Sequence, residues 1–242
     1  AKRRFTENGI SVSLNPWMET GHLDRCRTLK PGQDFITMED FNGKKCTMVA
    51  CPLDENWRKY FADFYTYLLQ TLRPEVVWVE DDFRLHNHGG LEYGGCFCPL
   101  HMKRYNEKLG TNYTREEFRE KLFGKNADEA AQRVWLDVSR ETMADFAAFL
   151  GNTVKAAGTG ARVGLMSSTA ESHAMEARDW TAIAEGLAQG KEKIHRIHLP
   201  CYIETTGKDY LFLFNRTSMA VRTFLPEDSL IYPELENGAF ST

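Results

Sequence analysis

No stretch of the 242 residues approaches the run of about 18 apolar residues that a membrane-crossing helix needs. Basic charge is not in excess either. Thirty Lys and Arg stand against 34 Asp and Glu, a formal net charge of -4, which leaves no broad cationic face for nucleic acid. Cysteine is sparse: six residues in a chain large enough to fold around a core, so reduced thiols are expected rather than three bridges. Gly-x-Gly-x-x-Gly and Walker sequences are missing from every strand-to-helix turn, which counts against a nucleotide-binding doubly wound sheet. Ser167, Ser168 and His173 lack a Gly-x-Ser-x-Gly elbow and read as a polar loop, not as a nucleophilic triad. The opening AKRRFTENG has neither Met nor an apolar signal core, and ENGAFST follows directly on a strand pattern. Targeting cannot be read from such ends. An internal segment of a longer protein is expected, and localisation stays open, with a cytoplasmic setting favoured.

What is present is enough for a core. The chain is 42% apolar and 12% aromatic, too rich in both for disorder. Gly9 to Pro16 alternates Ile10, Val12 and Leu14 with serines and reads as a strand ending in a loop. Two β-type runs between 34 and 51 flank Asn42-Gly43, a strong hairpin signal. From Asp54 the period changes: Trp57, Phe61, Phe64, Tyr65, Leu68 and Leu72 fall at helical spacing, with Asp54 as N-cap and Pro74 as stop. Val76 to Val79 then reads as a buried parallel strand. Helices are expected near 99–109, 115–123 (opened by the capping box Thr114-x-x-Glu117), 127–157, 176–188 and 208–223. Further strands are expected at 162–167, 194–199 and 229–232, which with 10–14 and 76–79 makes five. Strands alternating with helices predict an α/β domain with a parallel sheet. Polar and aromatic residues crowd the C-terminal strand ends, where a (β/α)8 TIM barrel builds its site. The whole chain is expected to be part of one such barrel, with the 34–51 hairpin and a His/Gly/Cys-rich loop plus helices at 83–125 as insertions. Five strands make the barrel incomplete, covering about strands 3 to 7 of eight.

Three adjacent acids, Glu80, Asp81 and Asp82, leave the apolar Val76–Val79 run. Alternation puts Glu80 and Asp82 on one face and Asp81 on the other. A second pair, Glu234 and Glu236, leaves the last strand at alternating positions. Opposed carboxylates suit glycosidic cleavage, where one protonates the leaving oxygen and the other attacks the sugar or activates a water. Sugar sites also want flat rings and planar donors. Asn15, Trp17, Phe83, Arg84, His86, His88, Trp180, His198 and Tyr202 supply both types near strand ends.

The segments WVEDDFRLHNHGGLEYGGCFC and IYPELENGAF resemble the barrel of clan A glycoside hydrolases, most nearly the family 42 β-galactosidases and their relatives. The similarity runs from the SLNPW strand to the end of the chain. It implies a retaining two-carboxylate glycosidase with a carbohydrate substrate and no nucleic-acid or membrane partner; a homo-oligomer is allowed for. In that clan the fourth strand ends in Asn-Glu, the Glu being acid/base, and the seventh in the nucleophilic Glu. The resemblance therefore assigns the acid/base to Asp82, the neighbouring donor position to Asp81, and the nucleophile to Glu236, with Glu234 as close competitor. Asn15, Trp17, Glu80, Arg84, His86, His88, His198 and Tyr202 would line the sugar subsite. Asp-Asp stands here where the clan has Asn-Glu. That departure keeps a catalytically silent sugar-binding barrel as an alternative, and the shorter Asp keeps an inverting mechanism open.

No cofactor is required by this chemistry. Zinc is the one candidate, because Cys96-x-Cys98-x2-His101 offers three ligands within six residues. A zinc-dependent hydrolase centred on that loop is the third reading; His86 and His88, just upstream, are read as donors to substrate hydroxyls.

Overall fold

The computed structural model describes residues 2–16, 18, 28–85, 91, 95–197 and 209–233. A short helix, α1 (Lys2–Glu7), precedes the first extended segment and has no counterpart in the sequence pattern. The strand expected at 10–14 is reduced to one parallel bridge, Leu14 to Val77. Backbone hydrogen bonds from Leu14 N–H to Val76 O, from Trp78 N–H to Leu14 O and from Glu75 N–H to Val12 O keep it alongside the sheet.

β1 (Thr37–Glu39) and β2 (Lys45–Ala50) form an antiparallel hairpin. α2 (Glu55–Leu72) starts where the Asp54 carboxylate accepts the Asn56 N–H, and ends at Arg73 in the left-handed region, before Pro74. β3 (Val76–Val79) follows at once. α3 (Pro99–Leu109), α4 (Arg115–Phe123) and the 28-residue α5 (Glu129–Ala156) lie between β3 and β4 (Arg162–Ser167). The Thr114–Glu117 capping box is formed in both directions. A 3-10 turn at Glu171–Glu176 comes next, so the helix expected from 176 begins later, as α6 (Trp180–Ala188) capped by Asp179. β5 (Ile194–Ile197), α7 (Asp209–Arg222) and β6 (Leu230–Pro233) complete the order.

The four strands β3-β4-β5-β6 are all parallel and hydrogen-bonded in chain order. Each is joined to the next through helix, as a parallel sheet requires. The main core lies between one sheet face and the helices. Val77, Val79, Val163 and Leu165 meet Trp57, Phe61, Tyr65 and Leu69 of α2 and Phe146 and Leu150 of α5, all buried. Each large apolar side chain so buried contributes about 1.5–3 kcal/mol. On the other sheet face the Trp78 ring lies against Gly164, where a Cβ would come within 2.5 Å of it, so no side chain fits there. Trp78 also meets Tyr232 of β6 edge-on, with ring centres 6.1 Å apart. By alternation Glu80 shares the inward face of Trp78. A second cluster, Phe97, Tyr105, Phe118, Leu122 and Val138, packs α3 and α4 onto α5.

Candidate functional site

β3 delivers the three acids at its C-terminal end, beside the ends of β4 and the Leu14 segment. Asn15 Nδ2 donates to Glu80 Oε1 at 3.4 Å, and the Asp81 N–H donates to Glu80 Oε2 at 2.9 Å. Burial, and then the neighbouring Asp81, push the Glu80 carboxyl from 4.5 up to about 7. The Ser168 hydroxyl donates to Asp81 Oδ2 at 2.7 Å. Arg84 forms an ion pair with Asp82, and its Nη1 donates to Ser168 Oγ at 3.4 Å. Of the expected site residues, Asn15, Glu80, Asp81, Asp82 and Arg84 are thus brought together. Ser168, read from sequence as plain loop, joins them.

Trp17, His86, His88, His198, Tyr202, Glu234 and Glu236 lie outside the described residues. Two of the expected ring platforms are not platforms. Phe83 is fully buried and stacks on Phe146 in the core, and Trp180 is wedged between His173 and His195. Apolar burial outweighs surface display for both rings, Phe83 in the loop after β3 and Trp180 at the start of α6. Ser167 likewise spends its hydroxyl on His195 Nε2, 2.7 Å away and fully enclosed. Burial holds His195 down to about 3 and His173 down to about 4, so both are neutral near pH 7.

Glu176 and Arg178, which no sequence pattern singles out, sit buried directly behind the acid loop. Glu176 Oε2 accepts the Leu85 N–H at 2.9 Å and Arg178 donates to the Phe83 carbonyl. These contacts join positions 91 and 95 residues apart. Local spacing carries no trace of them.

A second constellation lies nearby. Cys96, Cys98 and His101, the three ligands read from sequence, are joined by Cys51, which follows β2. One ligand atom from each falls within 4.8 Å of all the others, and all four residues are buried. Cys51 Sγ lies 3.3 Å from His101 Nδ1 and 3.5 Å from Cys98 Sγ, and Cys98 Sγ lies 3.6 Å from that nitrogen. A zinc ion with bonds of about 2.3 Å to sulfur and about 2.0–2.1 Å to nitrogen needs ligand atoms about 3.5–3.8 Å apart. The Cys51, Cys98 and His101 atoms stand close to those separations, and Cys96 Sγ lies within 4.8 Å of all three. Outer contacts orient them: Glu39 N–H to Cys96 Sγ, Leu53 N–H to Cys51 Sγ, and Thr142 Oγ1 3.4 Å from His101 Nε2. Burial pushes the Cys51 and Cys96 thiols up, whereas hydrogen bonds from those two pull Cys98 down. The thiols of Cys51, Cys96 and Cys98 form no disulfide among the described residues. The cluster and the acids share a support, since Gly95 presses on the Leu85 carbonyl, where a Cβ would sit at 1.9 Å.

A cavity of about 420 Å³ opens among Phe41, Phe97, Phe123, Trp135, Met175 and Arg119. Glu80, Asp81 and Asp82 do not line it.

Comparison with solved structures places the architecture. The chain superimposes on the catalytic domain of a β-amylase from Paenibacillus polymyxa with a TM-score of 0.60 at 11% identity, over 98% of this chain and 73% of that one. A β-galactosidase from Bacillus circulans sp. alkalophilus gives a TM-score of 0.55 at 14% identity, over 92% of this chain and 34% of that one. Both are TIM-barrel glycosidases. The fold is that of a partial α/β barrel. No protein-family model matches the chain, and no curated protein matches it significantly in sequence. At these identities the likeness defines the barrel and its strand directions. The acids of β3 follow the C-terminal end of a parallel strand, the end at which barrels of this type carry their sites.

Proposed function

We propose that this barrel is a glycoside hydrolase, β-galactosidase-like, working through two opposed carboxylates with retention. The observation that carries the reading is the spacing of acid-bearing strands. Glu80, Asp81 and Asp82 leave the end of β3, and Glu234 and Glu236 follow directly on β6, three strands along the same parallel sheet. The likeness to two glycosidase barrels supports it. On this reading Glu236, or Glu234 two residues earlier, attacks the anomeric carbon. The leaving oxygen takes its proton from the β3 acids, with Asp82 at the position that the resemblance assigns. Retention requires the working pair to stand about 5–5.5 Å apart, whereas about 6.5–9.5 Å would leave room for a water and give inversion. Asn15 and Arg84, with Trp17, His86, His88, His198 and Tyr202, would hold the sugar hydroxyls and ring.

The Arg84–Asp82 ion pair favours a second reading, a sugar-binding barrel without turnover, because the carboxylate at the assigned acid/base position is already engaged by a guanidinium. One experiment separates the two. Hydrolysis of aryl β-galactosides is measured for the wild type and for Asp82→Asn, Glu80→Gln, Glu234→Gln and Glu236→Gln. A drop of about 100-fold or more in kcat for one β3 acid and one of the two glutamates supports the hydrolase. Saturable sugar binding with no hydrolysis by the wild type would replace it with the binding protein.

The zinc reading takes a different form. Cys51, Cys96, Cys98 and His101 would occupy all four positions of a tetrahedral ion and leave none for water, the mark of a structural site rather than a hydrolytic one. The proposed zinc therefore staples the β2 exit to α3 and takes no part in the reaction.

A further inference from the structure

Glu176 and Arg178 carry opposite charges, and both side chains are 1% exposed. A buried ion pair is costly unless well-placed hydrogen bonds satisfy it, so where those bonds go is informative. Glu176 Oε1 accepts the Arg178 Nε–H at 2.7 Å, and the guanidinium lies 5.1 Å from the centre of the Trp180 ring. Two further hydrogen bonds reach across to the neighbouring strand end. Glu176 Oε2 holds the Leu85 N–H, and Arg178 Nη2 holds the Phe83 carbonyl. The pair thus grips the backbone on both sides of Arg84. Arg84 in turn pairs with Asp82 and donates to Ser168, whose hydroxyl donates to Asp81. Between the two residues Ala177 holds φ +47°, a left-handed conformation rarely taken without glycine.

Resting on the hydrolase reading above, we propose that Glu176 and Arg178 are positioning residues, which fix the backbone at Phe83 and Leu85 so that Arg84 sets the orientation of the Asp81 and Asp82 carboxylates. The test uses the double variant Glu176→Leu/Arg178→Met, which removes both charges together and leaves neither stranded. Melting temperature, kcat and KM on an aryl β-galactoside, and hydrogen exchange of the Leu85 amide are measured. The expected result is a folded protein whose Leu85 amide has lost its protection. Its kcat falls about 100-fold, the scale of a misplacement near 1 Å, with KM within about threefold. Glu176→Gln keeps an acceptor for the Leu85 N–H and is expected to retain most of that kcat. A folded double variant with wild-type kcat and a protected Leu85 amide would overturn the proposal. Should the double variant fail to fold, Arg178→Lys decides: unchanged kcat and KM would sink the role, and lowered kcat at constant KM would support it. If the wild type cleaves no glycoside, the hydrolase reading falls by itself, and Leu85 protection still judges the clamp.

Discussion

Glu80 shows how much a single carboxyl depends on its surroundings. Sequence alternation places it on the same strand face as Asp82, but Asp82 meets a guanidinium while Glu80 is half-buried beside Asp81 and raised to about 7. Its folded pKa therefore exceeds its unfolded one. Such a group contributes stability that is complete below about pH 4.5 and is lost as pH rises through about 7. Glu80→Gln should accordingly melt higher than wild type at about pH 8 and converge with it near pH 4. Parallel Tm-against-pH curves for the two proteins would refute the raised carboxyl. Legibility at this scale was uneven. The acids could be found because they interrupt an apolar run, whereas Glu176 and Arg178 could not, because their partners lie on another strand's exit loop.

Among the elements, hairpin, loop and helix are tied together by sulfur. Cys51 ends the β2 strand's run, Cys96 and Cys98 lie in the loop before α3, and His101 is in that helix's first turn. The short Cys-x-Cys-x2-His spacing was visible in the sequence; the fourth ligand was not, since 45 positions separate Cys51 from Cys96 and only the fold closes that loop. Purified protein should hold about one zinc per chain. Cys51→Ser or His101→Ala should lose it and cost about 4 kcal/mol, a drop of roughly 10 °C for a chain of this size. Metal-free protein whose melting is untouched by chelators would end the zinc proposal. The helix α4 offers a smaller test. Its capping box was read correctly because capping is a local interaction over three residues. Thr114→Ala should cost about 1 kcal/mol, measured by denaturant unfolding, and an unchanged midpoint would mean that the cap is not stabilising in solution.

For the whole molecule, the parallel order of the strands was legible because strands and helices alternate along the chain, and a parallel connection needs a helical crossover. Hydrophobic period and caps are short-range properties, and they determined α2, the capped start of α4 and the apolar strand β3 before any contact was known. What only the tertiary structure decided are the meetings between distant residues: Asn15 with Glu80, Arg84 with Ser168, Glu176 with Leu85, Cys51 with His101. It also decided which rings are core, turning Phe83 and Trp180 inward. The reason is physical. Periodicity records which face of an element is apolar, but the environment that assigns a carboxyl its proton or a thiol its partners comes from other elements folded against it.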